Sequence, residues 1–315
     1  MATRVRFAGI VILLVSASAI FAQTSSSPPL PEVTVTAPRP PTPEELAGEA
    51  VPDFIHAHAA PAEVSGQLAR WGVGQDPGIC PLTEGLSPGL NDFVSARVLA
   101  VAAAVGAPIQ KGRCPHNVYI IFATDPQKAL ADMVKQDSEI LGFHYPSQTR
   151  ELERITRPIQ GWYVTTSHGF HGDESTDNAQ PMLPVPLPND SMSKLQVQAP
   201  SGLAGSRLSS EISSGIINVV IVADARKMVG RAIGAIADYV AVLTLTQAYG
   251  SEQCGTLPSI TDLMLPHCAD KEKLTGITAG DLAFLRALYR TDLESYLPAE
   301  RSDIQNNMMR QFGRP

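Results

Sequence analysis

The sequence predicts an α+β fold of mixed α/β layers. It is read as a single main domain over 53–315, interrupted by a long Pro-rich insertion at 166–204. Three observations predict this. Runs rich in β-branched residues alternate with helix-like runs along most of the chain. "NVYIIFAT" (117–124) and "SGIINVVIVADARK" (214–227) read as buried strands. "SPGLNDFVSARVLAVAAAVG" (87–106) reads as a helix with its own start and stop signals.

Taken in order, residues 1–22 carry Arg4 and Arg6, an apolar run over 7–15 and then small residues. That is the pattern of a secretory signal peptide. Residues 23–52 hold eight prolines among serines and acidic residues, and read as an extended, disordered linker. "VPDFIHAHAAP" (51–61) is a short helix stopped by Pro61, and "LARWGVGQDPGICPLT" (68–83) gives short strands around a turn. In the next helix Ser87 is the N-cap, Pro88 opens the first turn and Gly106 ends it. Phe93, Val94, Val98, Val101 and Val105 form its apolar stripe. Asp125-Pro126 starts another helix, to about Asp137, and "RPIQGWYVTTS" (157–167) is a strand. The insertion carries four prolines within 181–188 and is expected to be a loop. After the strand at 214–227 come a long helix over 227–249 with Gly250 as its stop, and a connector over 257–268. A helix capped by Thr278 follows, with Leu282, Leu285, Ala287 and Leu288 inward. A polar, surface-lying helix at 298–312 ends the chain.

The formal net charge is −7, and removing Arg4 and Arg6 with residues 1–22 makes it −9. An acidic chain argues against nucleic acid as a partner. No later apolar run reads as a stable membrane span. Localisation in the periplasm or secretion is therefore expected. An exported chain can keep disulfides. Cys80, Cys114, Cys254 and Cys268 allow three pairings. The sequence-local pairing, Cys80–Cys114 and Cys254–Cys268, is favoured because each pair brackets one compact unit. A zinc site of four thiolates is disfavoured, since no pair has the close spacing of a CxxC.

Several stretches carry ligand or nucleophile chemistry. "TTSHGFHGDE" (165–174) places His168 and His171 near Asp173 and Glu174. They are weak metal candidates. A metal site needs rigid ligands, and a loop stem is expected to be a solvated polar segment instead. His56 and His58 face opposite ways on a helix, so one packs and one is solvated. "SMSK" (191–194) matches S-x-x-K but lacks its partner motifs. There is no HExxH, G-x-S-x-G, Walker A or dinucleotide motif, so no catalytic residue and no cofactor are assigned. A hydrolase site assembled from distant residues stays open, with His116, His144 and the insertion as one place for a cleft.

Two resemblances add to this. "EVTVTAPRP" (32–40) resembles, over about six residues, the TonB box of outer-membrane receptors. It implies strand pairing of 32–37 with a periplasmic or envelope partner. An ordinary Pro-rich linker is the competing reading. "LTLTQAYG" (243–250) resembles the HExxHxxG helix of zinc metalloproteases, with Leu243, Thr244 and Gln247 where ligands and base would stand. Together with "FIHAHAAPAEVSGQLARW", "NVYIIFAT", "LPSI" and "DLAFLRALY", it resembles an uncharacterised family of bacterial exported proteins. Some of its members have a zincin-like helix whose motif is degraded. The resemblance implies a degenerate zincin-like scaffold without zinc chemistry. The function expected is that of an exported, non-catalytic binding or envelope-associated protein. A secreted hydrolase with an unrecognised site is the alternative.

Overall fold

The computed structural model describes residues 42–313 apart from 63–64, 75–77, 143–149, 170–173, 178–181, 187–191, 197–209, 249–253, 269–273 and 293. The signal peptide, "EVTVTA", His144, His171, Ser191 and Gly250 lie outside the described residues.

Six strands form a mixed sheet. These are β1 (Ala69–Arg70), β2 (Pro81–Glu84), β3 (Val118–Ala123), β4 (Ile159–His168), β5 (Glu174–Thr176) and β8 (Ser213–Asp224). Their order is β2–β3–β8–β4–β5, with β1 on the first part of β8. β2, β3 and β8 are parallel, while β4 is antiparallel to β8 and to β5. β6 (Met182–Pro186) and β7 (Met192–Gln196) pair as a separate antiparallel hairpin.

The strand period of two splits the apolar side chains between two layers. Val118, Ile120 and Phe122 of β3, and Val219, Ile221 and Ala223 of β8, enter one large core. That core is completed by α2 (Val51–His58), α3 (Pro88–Val105), α5 (Ile233–Leu245), α6 (Ala279–Leu288) and α7 (Leu297–Phe312). Tyr119, Trp162, Val220 and Val222 point the other way, onto α4 (Pro126–Gln136) through Leu130 and Met133. The two faces explain why β8 is apolar without alternation.

Most helix ends follow local chemistry. Asp125 accepts from Lys128 N at the start of α4, and Gly106 closes α3 at φ 86°. Thr278 and Asp281 form a capping box on α6. Ser87 is extended at the N-cap of α3, but its side chain makes no capping bond.

The structure corrects five expectations about the secondary-structure elements. Helix begins inside the segment read as linker: α1 (Pro43–Glu45) and a π-helical stretch (Leu46–Ala50) run into α2. Thr42 caps it through a box with Glu45. Phe93 is 42% exposed, and Ala102 joins the buried valines of α3 instead. The insertion is not one loop, because β4 continues to His168 and β5, β6 and β7 follow. Residues 225–228 form a 3₁₀ turn, and α5 spans only Ile233–Leu245. Finally, α7 is anchored rather than surface-lying: Glu300, Ile304 and Met308, at i, i+4 and i+8, are fully buried.

By length and composition α3 could cross a membrane. Its valine face instead packs into the large core.

Candidate functional site

Among the described residues, two polar centres bring histidine, hydroxyl and carboxylate together. The first lies where β4 meets the start of β8. A register shift between Val164 and Thr165 re-aims the last turn of β4. Thr165 and Ser167 then face Asp177, donating to its Oδ2 at 2.5 Å and Oδ1 at 2.7 Å. Thr166 and His168 face the opposite side, with Thr166 Oγ1 and His168 Nε2 2.9 Å apart. Two glycines make room for them. A Cβ on Gly215 would lie 2.9 Å from Thr166 Oγ1, and one on Gly74 only 2.0 Å from His168 Cε1. Glu174, opposite His168 in the β4–β5 register, holds Oε2 3.7 Å from Nδ1.

His168 is therefore a strand residue on a supported frame, which corrects its reading as part of a loop stem. The arrangement has the carboxylate–imidazole–hydroxyl order of a nucleophilic relay. It lacks two requirements in this state. The Glu174–His168 separation exceeds hydrogen-bond length, and Thr166 is 1% exposed.

The second centre joins α2, the 3₁₀ turn Ile260–Met264 and α6. His58 is buried and stacks on Phe54, with ring centroids 4.1 Å apart. Its Nδ1 lies 2.8 Å from Phe54 O, which fixes a proton on that nitrogen. Nε2 lies 2.9 Å from both Ser259 Oγ and Thr261 Oγ1. Ser259 Oγ donates to Asp281 Oδ1 at 2.6 Å. Asp281 also accepts from Ile260 N, Thr278 N and Thr278 Oγ1. Burial lowers the His58 pKa, against the pull of Asp281 and of the Phe54 carbonyl. Burial likewise raises the carboxyl of Asp262, whose Oδ2 accepts from Ser259 N.

The proton logic of this trio is not that of a hydrolase. Serine sits between acid and imidazole and gives its single proton to the carboxylate. Histidine spends its own proton on a backbone carbonyl, where a catalytic triad aims it at the acid. Ser259 is 1% exposed and Asp281 is fully buried. The network clamps three elements through satisfied buried polar groups. Sequence reading found the Thr278 cap but missed Ser259 and Asp281. The S-x-x-D spacing at 259–262 and T-x-x-D at 278–281 was the available signal. His58 behaves as expected beside an exposed His56.

The segment compared with a metalloprotease helix ends differently from a helix carrying ligands. α5 stops at Leu245, and Thr246 is extended, so Gln247 shares no helical face with Leu243 and Thr244. The last carbonyls are capped by aromatic donors from three separate segments. Tyr163 OH donates to Leu243 O at 2.9 Å, Trp71 Nε1 to Thr244 O at 2.7 Å, and Tyr289 OH to Leu245 O at 3.0 Å. Thr244 Oγ1 bonds back to Val240 O, and Gln247 O accepts from Ala60 N. Near the middle of α5, Asp238 is held by Arg97 of α3, through Nε and Nη2, and by Ile277 N.

All four cysteines form disulfides, Cys80–Cys114 and Cys254–Cys268, as the local pairing predicts. Cys80 is buried, with His116 Nδ1 3.4 Å from its sulfur. The chain matches no family model, no curated protein and no solved structure.

Proposed function

We propose that this chain is an exported, non-catalytic binding or envelope-associated protein. The observation that carries the reading is the burial of its histidine-linked hydroxyls. Ser259 and Thr166 are each 1% exposed and committed to internal partners. Two disulfides are compatible with an oxidising extracellular location. Residues 1–22 supply the export signal in this reading, and 32–37 the contact with an envelope partner. Partly exposed Leu90 and Phe93 on α3 offer apolar surface for binding.

The test is hydrolysis of casein and of peptidoglycan, with and without added zinc, plus labelling by a fluorophosphonate probe. Neither turnover nor labelling is expected. Metal-dependent hydrolysis would overturn the reading. A pulldown from envelope extract, unchanged on deleting 32–37, would remove the partner contact.

The relay-like order of Glu174, His168 and Thr166 supports the alternative, a secreted hydrolase. In that reading, opening of the β4–β5 end exposes Thr166. Esterase activity on short acyl esters, abolished by His168→Ala and retained in Ser259→Ala, would favour it. Activity unaffected by His168→Ala would exclude it.

A further inference from the structure

Beside the second disulfide stands a histidine. Cys254 Sγ, Cys268 Sγ and the nearest His267 ring nitrogen all lie within 4.8 Å of one another. Cys254 and His267 are exposed, whereas Cys268 is buried. We propose that reduction of Cys254–Cys268 converts this corner into a zinc-class metal site with Cys254, His267 and Cys268 as ligands. The proposal stands independently of the function proposed above.

The geometry requires little movement. In a tetrahedral zinc site the ligand atoms are separated by about 3.5–3.8 Å, given Zn–S near 2.3 Å and Zn–N near 2.0 Å. Parting two bonded sulfurs to that distance is a shift of under about 2 Å. Two thiolates and one imidazole make a borderline-soft donor set that suits zinc over magnesium or calcium. Three protein ligands leave a fourth position for water or an outside ligand.

The redox step balances with a dithiol reductant. One reductant thiolate attacks Cys254 Sγ, and Cys268 leaves as a thiolate. The second reductant thiol then resolves the mixed disulfide, so the reductant departs as its own disulfide. Two electrons and two protons pass to the protein. Zinc binding then releases the two thiol protons. In the oxidised chain both sulfurs are bonded to each other, and the thiolate ligands do not exist.

The other bridge is the internal contrast. Cys80 is buried and its backbone is pinned by Asn117 Oδ1. Its partner Cys114 is half-buried, so Cys254 is the more accessible sulfur for a dithiol.

The experiment titrates zinc ion against a chromophoric chelator, using the full chain before and after mild dithiol reduction and desalting. Mass spectrometry after thiol alkylation reports which bridge has opened, and circular dichroism reports the fold. One zinc per reduced chain is expected and none per oxidised chain. His267→Ala should weaken binding at least tenfold, and cobalt should give thiolate charge-transfer absorption. A second variant avoids dependence on reduction. Cys254→His cannot form the bridge, and should bind zinc without any reductant. The proposal is overturned if the oxidised chain binds equally well, if His267→Ala is neutral, or if neither the reduced chain nor Cys254→His binds zinc.

Discussion

Replacing Glu300 by glutamine should make the protein more stable at alkaline pH and leave it unchanged at acidic pH. Glu300 is fully buried in α7. Its Oε2 accepts from Leu68 N at 3.1 Å, and its Oε1 has no hydrogen-bond partner among the described residues. Burial pushes its pKa from 4.5 up to about 7, while the Leu68 amide and the charge of Arg70 pull it back. The folded state therefore binds this proton more tightly than the unfolded chain. Between those two values the folded state carries more protons, so stability falls as pH rises. Below the unfolded value the carboxyl is neutral in both states and costs nothing extra. Above about 7 the full cost of a buried carboxylate is present. A shift of about 2.5 units corresponds to on the order of 3 kcal/mol. Glutamine keeps an acceptor for Leu68 and never ionises. Urea unfolding of both proteins, at about pH 4 and about pH 8, measures the difference. Glu300→Gln should gain on the order of 3 kcal/mol over wild type at the higher pH and under about 0.5 at the lower. A difference independent of pH, or a loss at the higher pH, would refute a carboxyl held neutral by burial.

Other changes test the remaining contacts. Trp71→Phe leaves a smaller aromatic ring in the core and removes the donor to Thr244 O, so unfolding in urea should reveal a loss of at least about 1–3 kcal/mol. Arg97→Met leaves Asp238 buried with only the Ile277 amide, at a cost of about 1–3 kcal/mol. That is below the cost for a wholly buried pair, because Arg97 is partly exposed. Gly85 has φ 95° and an added Cβ would lie 1.8 Å from Phe122 O, so Gly85→Ala should lower the melting temperature sharply or prevent soluble expression. His58, whose folded pKa is lowered from 6.5, should contribute stability above that value that is lost as pH falls below it. His58→Gln should flatten this part of a thermal-melt pH profile.

Much of the fold was legible because local signals and burial agreed. Pro88 and Gly106 bounded α3, Asp125-Pro126 opened α4, and valine runs marked β3 and β8. The end of α5 was not legible. No glycine or proline stands at Thr246, and its caps come from Trp71, Tyr163 and Tyr289, remote in sequence. Glu300 was hidden by its polar neighbours, although Ile304 and Met308 repeat on its face. The His58–Ser259 contact spans 201 residues, and no periodicity reports such a pairing. His168 was misplaced because glycines and prolines beyond it suggested a loop, while its pairing with Ser213 holds it in the sheet.

The sheet's two-sidedness supplies an unplanned optical label for each layer. The chain has two tryptophans, and they lie on opposite faces. Trp71 is sealed in the larger core with its indole bonded to the end of α5, while Trp162 sits against α4 with its indole bonded to Leu152 O. Single-tryptophan versions made by Trp162→Phe and Trp71→Phe would each glow from one layer only. Their emission during refolding would then tell whether the layer around Trp71 and the layer around Trp162 assemble together or in turn.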